Sequence, residues 1–160
     1  MSQPLKDVVR IIGDERPRVM RNSYSAGPVR SKFLLSLRDQ QKILATRCSG
    51  CGRVYVPARS SCPKCFENME EWVEVSPEGI LETYTIVYKS EPAHIADTPF
   101  ALGIIKLDGA DTGIVHRLGE IDLKKIRIGM KVKAVFNEER KGDIRDIKYF
   151  RPVRSKRAKK

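Results

Sequence analysis

Reactive side chains are scarce in this chain of 160 residues: it has four cysteines, two histidines (His94 and His116) and one tryptophan, Trp72. No cysteine stands outside two matched pairs, Cys48-Ser-Gly-Cys51 and Cys62-Pro-Lys-Cys65, so no unpaired thiol remains for chemistry. Long apolar runs are also missing. Nothing approaches the ~18 apolar residues that a membrane-spanning helix needs, so no membrane association is expected. Residues 1–22 are charged throughout and lack the apolar stretch of a secretory leader. A disulfide framework suits secreted chains, so two disulfides are disfavoured and a cytoplasmic setting is expected.

The two C-x-x-C pairs stand ten residues apart, a spacing that brings four thiolates to the corners of a tetrahedron. Gly52 follows the first pair and is free to take the positive φ that curls backbone N–H groups toward sulfur. Pro63 stiffens the second turn. A thioredoxin-like redox pair is normally solitary and sits at a strand–helix junction, whereas both pairs here lie in turn-like contexts. The expected cofactor is one structural Zn²⁺ held by Cys48, Cys51, Cys62 and Cys65, with iron as the alternative, since a four-cysteine knuckle pair also holds iron in rubredoxins. Tyr55 and Pro57 suit either metal. A closed, fully ligated site is structural and leaves no position for substrate.

The formal charge of +11 suggests nucleic-acid binding until it is divided by region. Residues 1–47 carry ten positive and four negative side chains, residues 151–160 six positive and none negative, and residues 48–150 fifteen positive against sixteen negative. The body is neutral and the ends are basic. Nucleic-acid-binding domains usually place their charge on the folded face that tracks phosphates, so nucleic acid is not the favoured partner.

The chain divides into an arm (1–27), a helix (28–41), a ribbon (42–77), a barrel (78–152) and a basic disordered tail (153–160). The arm carries the apolar cluster Val8, Val9, Ile11 and Ile12. Pro28 opens the helix at a first-turn position where its missing N–H costs nothing. Val29, Phe33, Leu34 and Leu37 form one apolar face, and a helix this short is marginal unless that face docks. The chain's own ribbon and a partner subunit are equal candidates for what it meets. In the ribbon, residues 42–47 and 70–76 read as strands. Trp72 is expected to pack over the ribbon or at its junction with the barrel.

From Gly79 onward the pattern is all β. Strands are expected at residues 80–89, 100–107, 112–118, 131–137 and 143–150, with a turn at 108–111 and a longer connection over 119–128. Five short strands with a long link between the third and fourth match an OB-fold, a small Greek-key barrel. Gly103 and Gly113 interrupt strands, as barrel corners and bulges require. The fold class is mainly β: an N-terminal helix, a four-cysteine ribbon and a five-stranded barrel.

Taken together, Arg47-Cys48, Cys51-Gly52, Pro57, Arg59, Cys62-Pro63 and Cys65, followed by Gly79, Thr83-Tyr84-Thr85, Pro99-Phe100, Leu107-Asp108-Gly109, residues 128–132 and residues 150–152, resemble a known family. These are the rubredoxin-like zinc-ribbon/OB-fold proteins that accompany thiolases and related acyl-CoA condensing enzymes. The resemblance covers about residues 28–152 and leaves out the arm and the basic tail. It implies a non-catalytic accessory subunit that docks to a thiolase-like or ketosynthase-like enzyme in a hetero-oligomer and helps to enclose a coenzyme A thioester. The residues agree on one point independently, because thiolase chemistry needs a free cysteine with a nearby histidine as base, and no cysteine is free. The loop 91–100 is placed at the active-site mouth, with His94, Ile95 and Phe100 facing the acyl group and Lys89 and Arg117 near the CoA phosphates. Val29, Phe33, Leu34 and Leu37, with the ribbon, are the expected docking surface. His116 lies in a strand pattern and is expected to be structural. The alternative function is single-stranded nucleic-acid binding, with Tyr84 and Tyr88 stacking bases from one strand face.

Overall fold

The computed structural model describes residues 10–12, 23–89 and 98–153. Two short strands in the arm, β1 (Arg10–Ile12) and β2 (Ser23–Ser25), pair antiparallel. Helix α1 (Gly27–Gln40) follows, with Pro28 in its first turn as the sequence predicts and no side-chain cap at Ala26. Gln41 closes it in the left-handed region, and Ser36 Oγ donates to the Phe33 and Lys42 carbonyls at 2.7 and 3.0 Å.

The ribbon is a three-stranded antiparallel sheet in the order β4-β3-β5, with β3 (Ile43–Arg47) in the centre. Its partners are β4 (Val54–Tyr55) and β5 (Glu71–Val75). The two-residue strand β4 has too short a pattern to be legible in the sequence. Strands β6 (Glu78–Val87), β7 (Phe100–Leu107), β8 (Gly113–Leu118), β9 (Lys131–Phe136) and β10 (Ile147–Pro152) close a barrel in the order β10-β8-β7-β6-β9. Strand β9 joins β6 to β10, and β10 meets β8 in parallel at Phe150 opposite Leu118. Closure leaves the barrel no free sheet edge. This is the five-stranded OB-fold.

Gly79 marks the place where β6 is paired on both sides, with Leu107 of β7 and Val132 of β9. A Cβ there would overlap the Lys106 carbonyl, so the crossing admits only glycine. The bulge in β6 lies between Leu81 and Thr83, across from Ile105 and Ile104; at the adjacent Gly103, paired with Tyr84, any side chain would displace Leu81.

One continuous apolar core links all three parts. Phe33, Leu34 and Leu37 from α1, Ile43, Ala45, Val54, Val56 and Val75 from the ribbon, and Leu81, Ile105, Val132, Ile147 and Phe150 from the barrel belong to it. The turn after β7 clasps the ribbon with polar contacts. The Val54 N–H donates to Asp111 Oδ2 at 2.8 Å and the Asp111 N–H to the Val54 carbonyl at 2.9 Å. Thr112 Oγ1 accepts from the Val56 N–H at 2.8 Å and donates to the Val56 carbonyl at 3.0 Å. Arg140, from the loop after β9, donates to the Arg38 carbonyl of α1 at 2.7 Å. No helix among the described residues is long and apolar enough to cross a membrane.

This core overturns the partner-facing role expected for the helix. Phe33, Leu34 and Leu37 are 1%, 6% and 0% exposed and pack inside their own chain, while Val29 is only half-buried. Burying each large side chain contributes about 1.5–3 kcal/mol, which is what stabilises a helix too short to stand alone. Trp72 meets that helix as well, with Lys32 Nζ 4.3 Å above its ring.

Candidate metal centre and the barrel end

Strand β3 delivers Cys48, the turn after it Cys51, and the loop between β4 and β5 delivers Cys62 and Cys65. Their four sulfurs lie within 4.8 Å of one another, with Cys51 and Cys62 Sγ 3.7 Å apart. A Zn–S bond of ~2.3 Å in a tetrahedron places neighbouring sulfurs about 3.8 Å apart, so the donor set fits the ion in type, number and spacing. Bound here, zinc would supply a fixed crosslink between the two knuckles.

The knuckles are built alike. The Gly52 N–H donates to the Cys48 carbonyl and the Phe66 N–H to the Cys62 carbonyl, at 2.8 and 2.9 Å. The Cys48 N–H meets the Arg53 carbonyl and the Cys62 N–H the Glu67 carbonyl, both at 2.9 Å. The residue after each second cysteine has positive φ: 70° at Gly52 and 59° at Phe66. Phe66 has the stranger setting, since it is 85% exposed in a conformation that glycine normally fills.

Tyr55 and Met69 pack beside Cys48 and Cys62 in a small cluster of their own. The Tyr55 hydroxyl approaches Cys62 Sγ at 3.4 Å. That hydrogen bond holds the Cys62 thiol down to about 6 against the opposing effect of burial, and it pushes Tyr55 up to about 12. Cys65 is pushed up to about 12, first by its contact with Cys51 and then by burial. Zinc binds thiolates, so loading the cluster would release the thiol protons to solvent, Cys65 being the sulfur whose surroundings most oppose that loss. The hydroxyl of Tyr55 was the part of the site hardest to read. Its only signal was a tyrosine four residues beyond Cys51.

At the far end of the barrel the expected mouth is only partly assembled. His94 and Ile95 lie outside the described residues. Lys89 is exposed just beyond β6, and Arg117 is exposed on β8 with its guanidinium 5.4 Å from the Phe100 ring. Phe100 corrects its assignment as an acyl-facing loop residue: it begins β7, pairs with Val87 and is 8% exposed beneath Arg117. His116 is half-buried, edge-on to Phe150 at 5.5 Å, with Nε2 3.3 Å from the Ile144 carbonyl. Burial holds its pKa below the ordinary histidine range, so the ring is neutral at physiological pH. Tyr84 does not form a stacking platform with Tyr88. Its hydroxyl is tied to the Ile126 carbonyl at 3.4 Å and its ring packs on the core, whereas Tyr88 is 70% exposed beyond the end of β6.

Comparison with known proteins follows the same division. The family model of the ChsH2 rubredoxin-like zinc ribbon domain matches residues 36–70, and that of the ChsH2 C-terminal OB-fold domain matches residues 72–137. A DUF35 domain-containing scaffold protein of Methanocaldococcus jannaschii is 30% identical over 122 residues, which cover 73% of this chain and 86% of that protein. A solved DUF35-family protein of unknown function from Sulfolobus solfataricus superimposes with a TM-score of 0.59 at 28% identity, covering 79% of this chain and 84% of the other. The solved Ltp2-ChsH2(DUF35) aldolase gives a TM-score of 0.56 at 24% identity, covering 86% and 98%, a likeness of fold. With its four-cysteine zinc ribbon joined to an OB barrel, this chain belongs to the DUF35 family.

Proposed function

We propose that this protein is a non-catalytic accessory subunit of a thiolase-type acyl-CoA enzyme, or of its ketosynthase-like kin, docking to the enzyme and helping to enclose the CoA thioester. The observation that carries the reading is the convergence of all four cysteine sulfurs in one cluster. Thioester condensation needs a free thiolate with a histidine as base, and the four thiols of this chain share one cluster of metal-binding geometry. His116 is half-buried, edge-on to Phe150, with its ring nitrogen on a backbone carbonyl, a structural position. The similar protein of M. jannaschii is named a scaffold, and the similar aldolase structure gives a precedent for this fold inside an enzyme assembly.

The docking surface has to be sought outside the helix face that the core has claimed. Phe66 at the tip of the ribbon is 85% exposed, and the cross-strand pair Ile104 and Val115 is 37% and 62% exposed on the barrel wall. We assign partner contact to these, and contact with the thioester's phosphates to Lys89 beyond β6 and Arg117 on β8. Covering an enzyme's mouth in this way excludes water and fixes the acyl group near the nucleophile.

Co-expression with a thiolase-type enzyme of the same genome tests the reading. A stable complex is expected, active only through the thiolase cysteine. A chain that runs alone in that experiment, or one that turns over thioesters by itself after rigorous purification, overturns it.

A further inference from the structure

A second feature lies at the end of the barrel where β9 leads into β10. A cleft of about 1050 Å³ opens where helix, ribbon and barrel meet. Its accessible apolar lining includes Val29, Ala58 and Ile144, above the buried Phe33 and Leu34. Arg145 lines it in a pair with Asp143, and three further cations line it, one from each part: Arg30 from α1, Arg59 from the ribbon and Lys141 from the loop before β10. All three are exposed, and no side-chain partner occupies any of them among the described residues. The only carboxylate lining the cleft is Asp143, and it is engaged by Arg145 at 2.8 Å.

Unpaired cations from three separate parts of a fold repel one another, and nothing in the packing requires them to share a cleft. Together they match an anion that presents several oxygens. The first turn of α1 opens on the same cleft with no acidic residue; its Gly27 N–H is taken by Ser25 Oγ at 3.2 Å and Pro28 has none, so the cations carry the positive potential here. The size is that of a nucleotide site, and an apolar lining with a few placed polar groups is the usual make-up of such sites.

We propose that this junction cleft binds a phosphate ester of nucleotide size, with its diphosphate held by Arg30, Arg59 and Lys141 and its flat apolar portion laid on Val29, Ala58 and Ile144. The shared chemistry is an adenosine diphosphate group, available from a free nucleotide or from coenzyme A. The proposal stands apart from the accessory-subunit reading, which places phosphate contacts at Lys89 and Arg117.

Calorimetric titration of the full zinc-loaded chain with ADP, CoA and sulfate at fixed ionic strength tests it. ADP or CoA is expected to bind at least about tenfold more tightly than sulfate, since bidentate guanidinium–phosphate bonds are strong and directional. The double change Arg59→Glu with Lys141→Glu is expected to weaken that binding at least about tenfold without lowering the melting temperature, because both side chains are exposed and unpaired. Lys124→Glu, a charge swap outside the cleft, should change nothing. Equal binding of ADP and CoA identifies the diphosphate as the recognised group, and binding of CoA alone identifies the cofactor as its source. Binding no tighter than sulfate, or full affinity in the double variant, overturns the proposal. Binding that is lost instead on Lys89→Glu with Arg117→Glu also overturns it, and leaves the accessory-subunit reading standing.

Discussion

The ribbon tip and the barrel are held together by different forces, and a single strand shows where one gives way to the other. In β4, Val54 turns into the large apolar core shared with helix and barrel, while its neighbour Tyr55 turns into the small cluster of Cys48, Cys62 and Met69. Side chains alternate across a strand, so the ribbon sheet has one face that belongs to the rest of the molecule and one that belongs to the metal. The barrel side is stabilised by buried area. The tip has too little apolar surface for that and depends on the crosslink. A metal ribbon is therefore not a separate unit here. Only its outer half is.

The severest way to break this division is to put a charge into the shared core. Leu37→Asp is expected to unfold helix, ribbon and barrel together. Removing such a side chain costs about 2–5 kcal/mol, and an unpaired buried carboxylate adds to that. Thermal unfolding by circular dichroism should show loss of the whole cooperative transition, with zinc released alongside. A variant that keeps fold and metal and loses only a partner would restore the helix face to the docking role that its burial denies it.

Removing the metal should have a narrower effect. Chelation is expected to melt residues 48–70 and leave β3, β5 and the barrel in place, because Ile43, Ala45 and Val75 remain in the large core. Hydrogen exchange gives the measurement. The Gly52, Phe66 and Met69 amides, each bonded within the tip, should lose protection while those of Leu81 and Ala134 keep it. Uniform loss would mean that the tip and barrel form one cooperative unit after all. A colourless protein with one zinc per chain is expected before chelation, and a coloured one would point to iron.

The sequence disclosed the parts of this molecule whose logic is local. Two C-x-x-C pairs needed only their spacing, and the Pro28 helix needed only its start signal and period. The five barrel strands were legible from β-branched content and turn residues, although β10 begins at Ile147, after a short turn of 3-10 helix (Ile144–Asp146) that the strand pattern concealed. What was not legible depended on tertiary neighbours. The apolar face of α1 was plain, but nothing in Phe33 or Leu37 says whether a ribbon or a partner covers it. The same holds for Arg30, Arg59 and Lys141, distant in sequence and brought together only by the fold. The start of β7 at Phe100 was legible, but not that its ring is buried beneath Arg117 instead of open to a ligand.

A subtler cut separates the two regions without damaging either. Thr112→Val keeps the shape of the side chain but removes the hydroxyl that both accepts from and donates to Val56. Leaving those backbone groups unpaired costs about 1–3 kcal/mol. Since the lost bonds join β4 to the barrel, zinc release and barrel unfolding should separate on heating, where the parent shows them closer together. Coincident shifts of both transitions would place the coupling in the apolar core alone.

The smallest expected effect sharpens the comparison within the tip itself, where Gly52 and Phe66 occupy the same place in two knuckles. Both have positive φ, at 70° and 59°, a region that costs a residue with a Cβ about 1–2 kcal/mol. At 85% exposure Phe66 recovers almost none of that by burial. Phe66→Gly should therefore raise stability by about 0.5–1 kcal/mol, the relief of strain being offset in part by the greater entropy of glycine in the unfolded chain. Gly52→Ala should lower it by about 1 kcal/mol, because alanine meets the same strain with nothing to gain. Competition with a zinc chelator measures both, since tip stability and metal retention are linked. If Phe66→Gly holds zinc more tightly and also weakens capture of the thiolase, the strained phenylalanine is maintained for contact and not for folding. If it holds zinc less tightly, the ring supports the knuckle in a way its exposure conceals, and Phe66 leaves the docking surface.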